Sequence, residues 1–420
     1  MIPAAMGAKL DDSGSARRFS IENPRRSLRP TPLALLAFTC GTTINIELDL
    51  IGEVFLVELL IPAVALLVVL FNGLGHAFQA RMFINALIAG AMTFTGYLLS
   101  DLSAANEPWQ YVRGWGRVGL LLIDTFALML LAAHGRRNIW WFVLGVGIGG
   151  PLALLAEGVA LEQWKIGYGE YCALLIAVCS GMLPRMMAVA LIAGCGVSSL
   201  LLDYRSLGVT CLLAAGLLAY RSQRNESFRA SMRNILVVSL CTALAVALAN
   251  FTLSVTDETY AERRKLSNGG RYIGMVVAWR AISESPLLGY GSWAAEGQFG
   301  HLLRNEARQL ERELNTSVDV GRSLLPHSQL LQSWVEGGLL GISFFLFYGW
   351  GLLVSLYWFV IRRAQDWLSP AAAFLLLYGL WNWAASPFLG FTRIYIAMAM
   401  ALIAIARWER SEEMRRRRFH

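Results

Sequence analysis

Apolar runs long enough to cross a bilayer recur from residue 31 almost to the end of this 420-residue chain. They fall near 31–48, 51–71, 83–101, 117–133, 139–157, 169–183, 185–202, 207–221, 234–255, 332–361, 370–389 and 392–408. About 17–25 apolar residues in a helix span the hydrocarbon core. In lipid a backbone must satisfy its own hydrogen bonds, so helices are the default for such runs. Only 15% of the residues are charged and 56% are hydrophobic. A soluble chain carries about 25% charged residues, which excludes an ordinary soluble fold. The expected fold class is an all-α polytopic membrane protein with about twelve transmembrane helices.

Charge placement supports that count. The turns expected inside hold Arg81, Arg136, Arg137, Arg185, Arg221, Arg224, Arg229, Arg233, Arg362 and Arg363, and the C-terminus holds Arg415 to Arg418. The connections expected outside hold Glu47, Asp49, Asp101, Glu107, Glu162 and Asp203. Cytoplasmic loops are enriched in Lys and Arg, so both termini are expected in the cytoplasm. The net charge of +7 then reflects topology and contact with anionic membrane lipids, and no nucleic-acid partner is expected. The six cysteines all lie in apolar stretches without metal-ligand spacing. They read as small buried residues.

The chain divides accordingly. Residues 1–30 read as a disordered cytoplasmic leader, 31–255 as transmembrane helices one to nine, and 256–331 as one long helical loop on the outer side. Residues 332–408 read as helices ten to twelve and 409–420 as a basic cytoplasmic tail. A polar connection as long as 256–331 is uncommon unless it functions. Within it Phe299, Leu302, Leu303, Leu310 and Leu314 recur at helical spacing, the pattern of an amphipathic helix.

Several arginines break the charge rule. Arg113, Arg117, Arg205, Arg271 and Arg280 all fall on the expected outer side. Arg271 is expected at a helix start, where a cation opposes the helix dipole and free N–H groups attract anions. It faces an anion there or is a solvated loop residue. Arg205 lies in LLDYRSLG (201–208) at a junction of two apolar runs. An ionisable residue at that depth is a functional candidate, and its plain alternative is a salt bridge with Asp203. His327 opens the run LLPHSQLLQSWVEGGLLG (324–341). It is an interfacial polar residue near a helix cap, or a titratable group placed for chemistry.

Taken together, these segments resemble the O-antigen ligase and Wzy-type polymerase superfamily of membrane glycosyltransferases. The matching residues are Gly269, Gly270 and Arg271, then Trp279, then PLLGYG from Pro286 to Gly291. The pattern closes with His327, Ser328, Leu330, Glu336, Gly338 and Gly341, and upstream with Tyr204-Arg205-Ser206. Tyr204 replaces the family's usual small residue, the leucine after the histidine is doubled at Leu330 and Leu331, and Asp203 stands beside Arg205.

The resemblance implies a GT-C-like fold in the bacterial inner membrane with a periplasmic active site. It implies an undecaprenyl diphosphate-linked glycan as donor. Guanidinium groups stay charged and donate paired hydrogen bonds, so Arg205 and Arg271 would stabilise the departing diphosphate. Arg280, Arg113 and Arg117 are further candidates for contacting it. His327 would accept the proton of the acceptor hydroxyl, or orient the acceptor. No metal or cofactor is expected. Direct displacement with inversion is the simpler expectation, since no carboxylate nucleophile is identifiable.

The acceptor would be lipid A–core in an O-antigen ligase, or a growing polysaccharide in a polymerase. The chain ends soon after its last run without an appended domain, which favours these two over a protein O-oligosaccharyltransferase. A lipid-linked glycan transporter is a further alternative, but such proteins show internal repeats and none is visible here.

Overall fold

The computed structural model describes residues 28–50, 52–73, 81–104, 107–160, 163–220, 228–256, 260–293, 300–301, 304–306, 308–309, 312, 326–361 and 366–418. Within these, the apolar runs fold into helices. In order they are α1 (Pro32–Thr42), α2 (Leu56–Asn72), α3 (Arg81–Ala104), α4 (Pro108–Ala133) and α5 (Arg136–Ala156). Then come α6 (Gly169–Ser180), α7 (Arg185–Leu201), α8 (Arg205–Tyr220), α9 (Phe228–Thr256) and α10 (Tyr260–Glu284). The last four are α11 (Gln329–Gly341), α12 (Ser343–Ile361), α13 (Ser369–Ala385) and α14 (Thr392–Arg418).

The outside of this bundle is oily. Leu66, Leu70, Phe71, Met186, Leu240 and Phe251 are all exposed, as lipid-facing side chains are. Among the described residues, α3, α4, α5 and α12 are each long and apolar enough to cross a membrane, and six further apolar helices are shorter. The chain is a membrane protein whose described residues are mostly helical.

Its centre is α14. Ile394, Ala397, Met398, Met400 and Ala401 are buried, because α14 packs on α4, α12 and α13. Close approach elsewhere depends on absent side chains. Where α1 crosses α5, Gly41 faces the Phe142 carbonyl and Gly145 faces the Phe38 carbonyl, with no room for a Cβ. Small residues at a crossing let two backbones meet in lipid.

Two expectations need correction. The spans expected at 31–48 and 51–71 are shorter helices separated by a β-hairpin. Strands β1 (Glu47–Leu50) and β2 (Gly52–Phe55) pair antiparallel, with Glu47 opposite Phe55 and Leu50 opposite Gly52. Glu47-Leu48-Asp49-Leu50 alternates with period two, the strand pattern rather than the helical one. The second correction concerns Arg271. It lies well inside α10, not at a helix start, because Gly269 and Gly270 continue the helix instead of ending it. The dipole argument therefore does not apply to it.

The expected leader falls outside the described residues except for 28–30, and the expected amphipathic helix at 299–314 does so except for short helical pieces such as 304–306. The expected basic tail is, through Arg418, an extension of α14.

Filling the α1–α5 crossing tests this packing. Gly145→Leu is expected to cost about 1–3 kcal/mol through overpacking and to lower the thermal midpoint of the detergent-solubilised protein. An unchanged midpoint would remove the crossing.

Candidate functional site

The site is assembled around a broken helix. Inside α11, Gly338 takes φ 62° and ψ −159°, a conformation that glycine reaches without a Cβ clash. The break frees carbonyls that a continuous helix would have used. They are taken by the PLLGYG loop. Tyr290 N donates to Val335 O (2.7 Å), Gly291 N donates to Glu336 O (3.1 Å), and Leu339 N donates to Leu287 O (3.1 Å). The far side of that loop is pinned to the end of α3. Ser292 Oγ donates to Asp101 Oδ2 (2.8 Å) and Gly291 N donates to Ser100 Oγ (2.8 Å). Two motifs nearly fifty residues apart in sequence are thus one structural unit.

Beneath them lies a buried polar network. Glu336 pairs with Arg117 of α4. Tyr97 of α3 donates its hydroxyl to Glu336 Oε2 (2.9 Å), and Gln332 Nε2 donates to Glu336 Oε1 (3.2 Å). Gln332 Oε1 in turn accepts from Phe388 N (2.7 Å), and Arg117 Nη1 donates to Phe388 O (3.3 Å). Glu336 and Arg117 are 1% and 4% exposed, so neither charge has water to fall back on. Gly96, Gly337 and Gly341 let α3 and α11 approach around this network, with Gly337 against the Tyr97 ring.

His327 sits just before α11. Ser328 caps that helix: its hydroxyl oxygen accepts from Leu331 N (3.3 Å), and the hydroxyl donates to Trp383 O (3.1 Å) at the end of α13. The histidine is held between two helix ends. Burial first, and then the nearby Arg271 cation, push its pKa below the ordinary histidine value. Arg271 is itself lowered from the usual guanidinium value, first by partial shielding and then by Arg205. These couplings place Arg271 close to both His327 and Arg205. Arg205 opens α8, with Nη2 3.0 Å and Nε 3.3 Å from Asp203 Oδ1. Three residues from three separate sequence segments are thus linked electrostatically through Arg271, which acts on His327 and is acted on by Arg205.

The other candidates have other partners. Arg280 is exposed and paired with Glu306 within the long loop. Arg113 lies over the rings of Trp109 (5.2 Å) and Trp293 (4.7 Å). Arg117 continues that stack, 4.8 Å from the Trp293 ring centre and 5.0 Å from that of Phe388. Its position points to holding the floor together rather than to touching a ligand.

A second buried pair escapes the sequence reading. Arg393, at the start of α14, pairs with Glu58 through two bonds, Nη2 lying 2.8 Å from Oε2, and also donates to Glu53 O (2.6 Å) of the hairpin. Arg393 also falls on the expected outer side, so the charge rule that marked Arg117 would have marked it.

The family model described as O-Antigen ligase matches residues 171–346. That stretch runs from α6 into α12 and contains Arg205, Arg271 and His327. Arg117 and Tyr97, which reach Glu336 from outside it, lie upstream. No curated protein matches the chain.

The network sets a stability expectation. Removing one partner of a buried ion pair typically costs about 3–5 kcal/mol, because the other charge is left uncompensated. Glu336→Ala is expected to lose that much in denaturant unfolding, and the double variant R117M/E336Q to recover most of it. Equal loss in both would show that the pairing is not what matters.

Proposed function

From a chain that, through residues 171–346, belongs to the O-antigen ligase and Wzy-type superfamily, we propose a membrane glycosyltransferase that moves a glycan en bloc. The donor is undecaprenyl diphosphate-linked glycan. The acceptor is a hydroxyl at the periplasmic face of the bacterial inner membrane, that of lipid A–core in the ligase reading. What supports this reading is the electrostatic link of Arg271 with both Arg205 and His327, all three being motif residues within the matched stretch.

Each group has a task that its chemistry suits. The acceptor oxygen attacks the anomeric carbon and the bond from that carbon to the phosphate oxygen breaks. The electron pair leaves with the diphosphate, and Arg205 and Arg271 stabilise the charge that develops there. His327 takes the hydroxyl proton, which requires a neutral ring. Burial and Arg271 favour that neutral form. Displacement proceeds in one step with inversion and without a metal. Both termini lie in the cytoplasm, and twelve crossings bring the connections 202–204, 285–293, 326–328 and 386–391 to the periplasmic end.

The second reading is a Wzy-type polymerase, in which the acceptor is another lipid-linked glycan. The two share every step above. Purified protein supplied with lipid-linked glycan and either lipid A–core or a second lipid-linked glycan separates them by product. Release of the diphosphate with neither product would point to hydrolysis and remove both.

Two expectations follow for the base. His327→Ala is expected to lower transfer by about 10²–10⁴-fold in a protein that still folds, and wild-type turnover would remove the role. Activity should be lost as pH falls through the histidine pKa, on a limb below pH about 6.5. In Arg271→Gln the like charge is gone, so the limb in the residual activity should move to higher pH. A limb that stays put would separate Arg271 from the base.

A further inference from the structure

The turn carrying Arg205 is unusually well held. Asp203 N donates to Leu200 O (3.2 Å), Tyr204 N to Ser199 O (2.8 Å), and Gly208 N to Tyr204 O (3.0 Å). The Tyr204 side chain is buried and donates its hydroxyl to Glu170 at the start of α6. Tyr204 stands where the family pattern has a small residue, so this anchor belongs to the present chain. It fixes the backbone of the turn from which Arg205 projects.

Asp203 has a different character. Its backbone takes φ 58°, a left-handed conformation uncommon outside glycine but enriched in Asp and Asn. That geometry lets its carboxylate fold onto the side chain two residues ahead. One oxygen, Oδ1, receives both Nε and Nη2 of Arg205. The contact uses one carboxylate oxygen where a paired, two-oxygen contact would be stronger. Both side chains remain accessible, at 25% and 35% exposure, and ion pairs of that kind are weak. The Arg205 cation is meanwhile close enough to act on Arg271.

Building on the proposed transfer reaction, we infer that Asp203 is a resident anion for Arg205. It occupies the guanidinium edge between turnovers and yields that edge to the diphosphate. A diphosphate carries more charge and more acceptor oxygens, and lies within reach of two arginines where Asp203 contacts one. The exchange keeps Arg205 oriented in the empty site. It also offers a competitor that helps the spent diphosphate leave. Donor affinity is therefore set below what the two arginines alone would give.

The test uses the full chain in lipid nanodiscs, with inorganic pyrophosphate and farnesyl diphosphate as separate probes. Asp203→Asn keeps the tolerance for positive φ and an acceptor oxygen while removing the charge. It is expected to bind pyrophosphate about two- to fivefold tighter, the range that loss of an exposed pair allows, with donor KM falling in parallel. In an Arg205→Ala background the same substitution should change nothing, an interdependence that a purely structural turn residue would not show. A gain with both probes identifies the diphosphate group whichever molecule carries it. A gain with pyrophosphate alone assigns the effect to the freed product. Unchanged or weaker binding in a folded Asp203→Asn protein, or an equal effect without Arg205, overturns the inference. Wild-type protein that binds neither probe, with Arg205→Ala retaining transfer, would instead sink the diphosphate site itself, and the resident anion with it.

Discussion

The buried pair of Arg117 and Glu336 is the constraint from which the site is built. A carboxylate enclosed at this depth is costly unless its lone pairs are used. Arg117, Tyr97 and Gln332 use them. Tyr97 and Arg117 each bring another helix to Glu336 and Gln332 of α11, so satisfying one carboxylate fixes α3 and α4 against α11. Gln332 and Arg117 then hold the Phe388 backbone, which fixes the connection between α13 and α14. The catalytic candidates stand on this floor without belonging to it. His327 sits nine residues before Glu336 and inherits its position from the helix that Glu336 anchors.

The break at Gly338 complements the pair. A helix interruption in a membrane protein is tolerated where other groups satisfy the released backbone. Here the PLLGYG loop does so, and the same loop places Trp293 against Arg117. Polar side chains and the polar backbone therefore solve one problem together. The loop satisfies the helix, the helix positions the loop, and the buried ion pair keeps both from drifting.

Much of this was legible in the sequence, and the reasons differ by feature. Apolar length alone marked the helices, because a bilayer imposes one scale on every crossing. The motif residues His327, Arg205 and Arg271 could be picked out, but periodicity could not bring them together. Their closeness depends on how α8, α10 and the start of α11 converge. The hairpin was missed because Leu48, Leu50 and Val54 blend into the neighbouring apolar runs. A window wide enough to detect a span averages over a four-residue strand. Arg271 was misplaced because paired glycines usually signal an end, and here packing carried the helix through them. Tyr97 gave no signal at all. A tyrosine in an apolar helix looks the same whether its hydroxyl meets lipid headgroups or a buried carboxylate.

The arginines show where the charge rule stops being informative. Arg117, Arg205, Arg271 and Arg393 are all expected on the side where the rule allows few cations, and it treats them alike. The structure divides them by pairing. Arg117 and Arg393 each close on a carboxylate from another helix, both partners almost fully buried. Such a charge is neutralised before any ligand arrives and acts as a joint between helices. Arg205 and Arg271 act on one another as like charges, and the carboxylate that Arg205 meets, Asp203, lies two residues back in the chain and is 35% exposed. Two cations held close cost free energy unless something negative comes between them. That Arg117 and Arg393 are closed in buried ion pairs, while Arg205 and Arg271 act on one another as like charges, is what supports the anion site proposed for the second two.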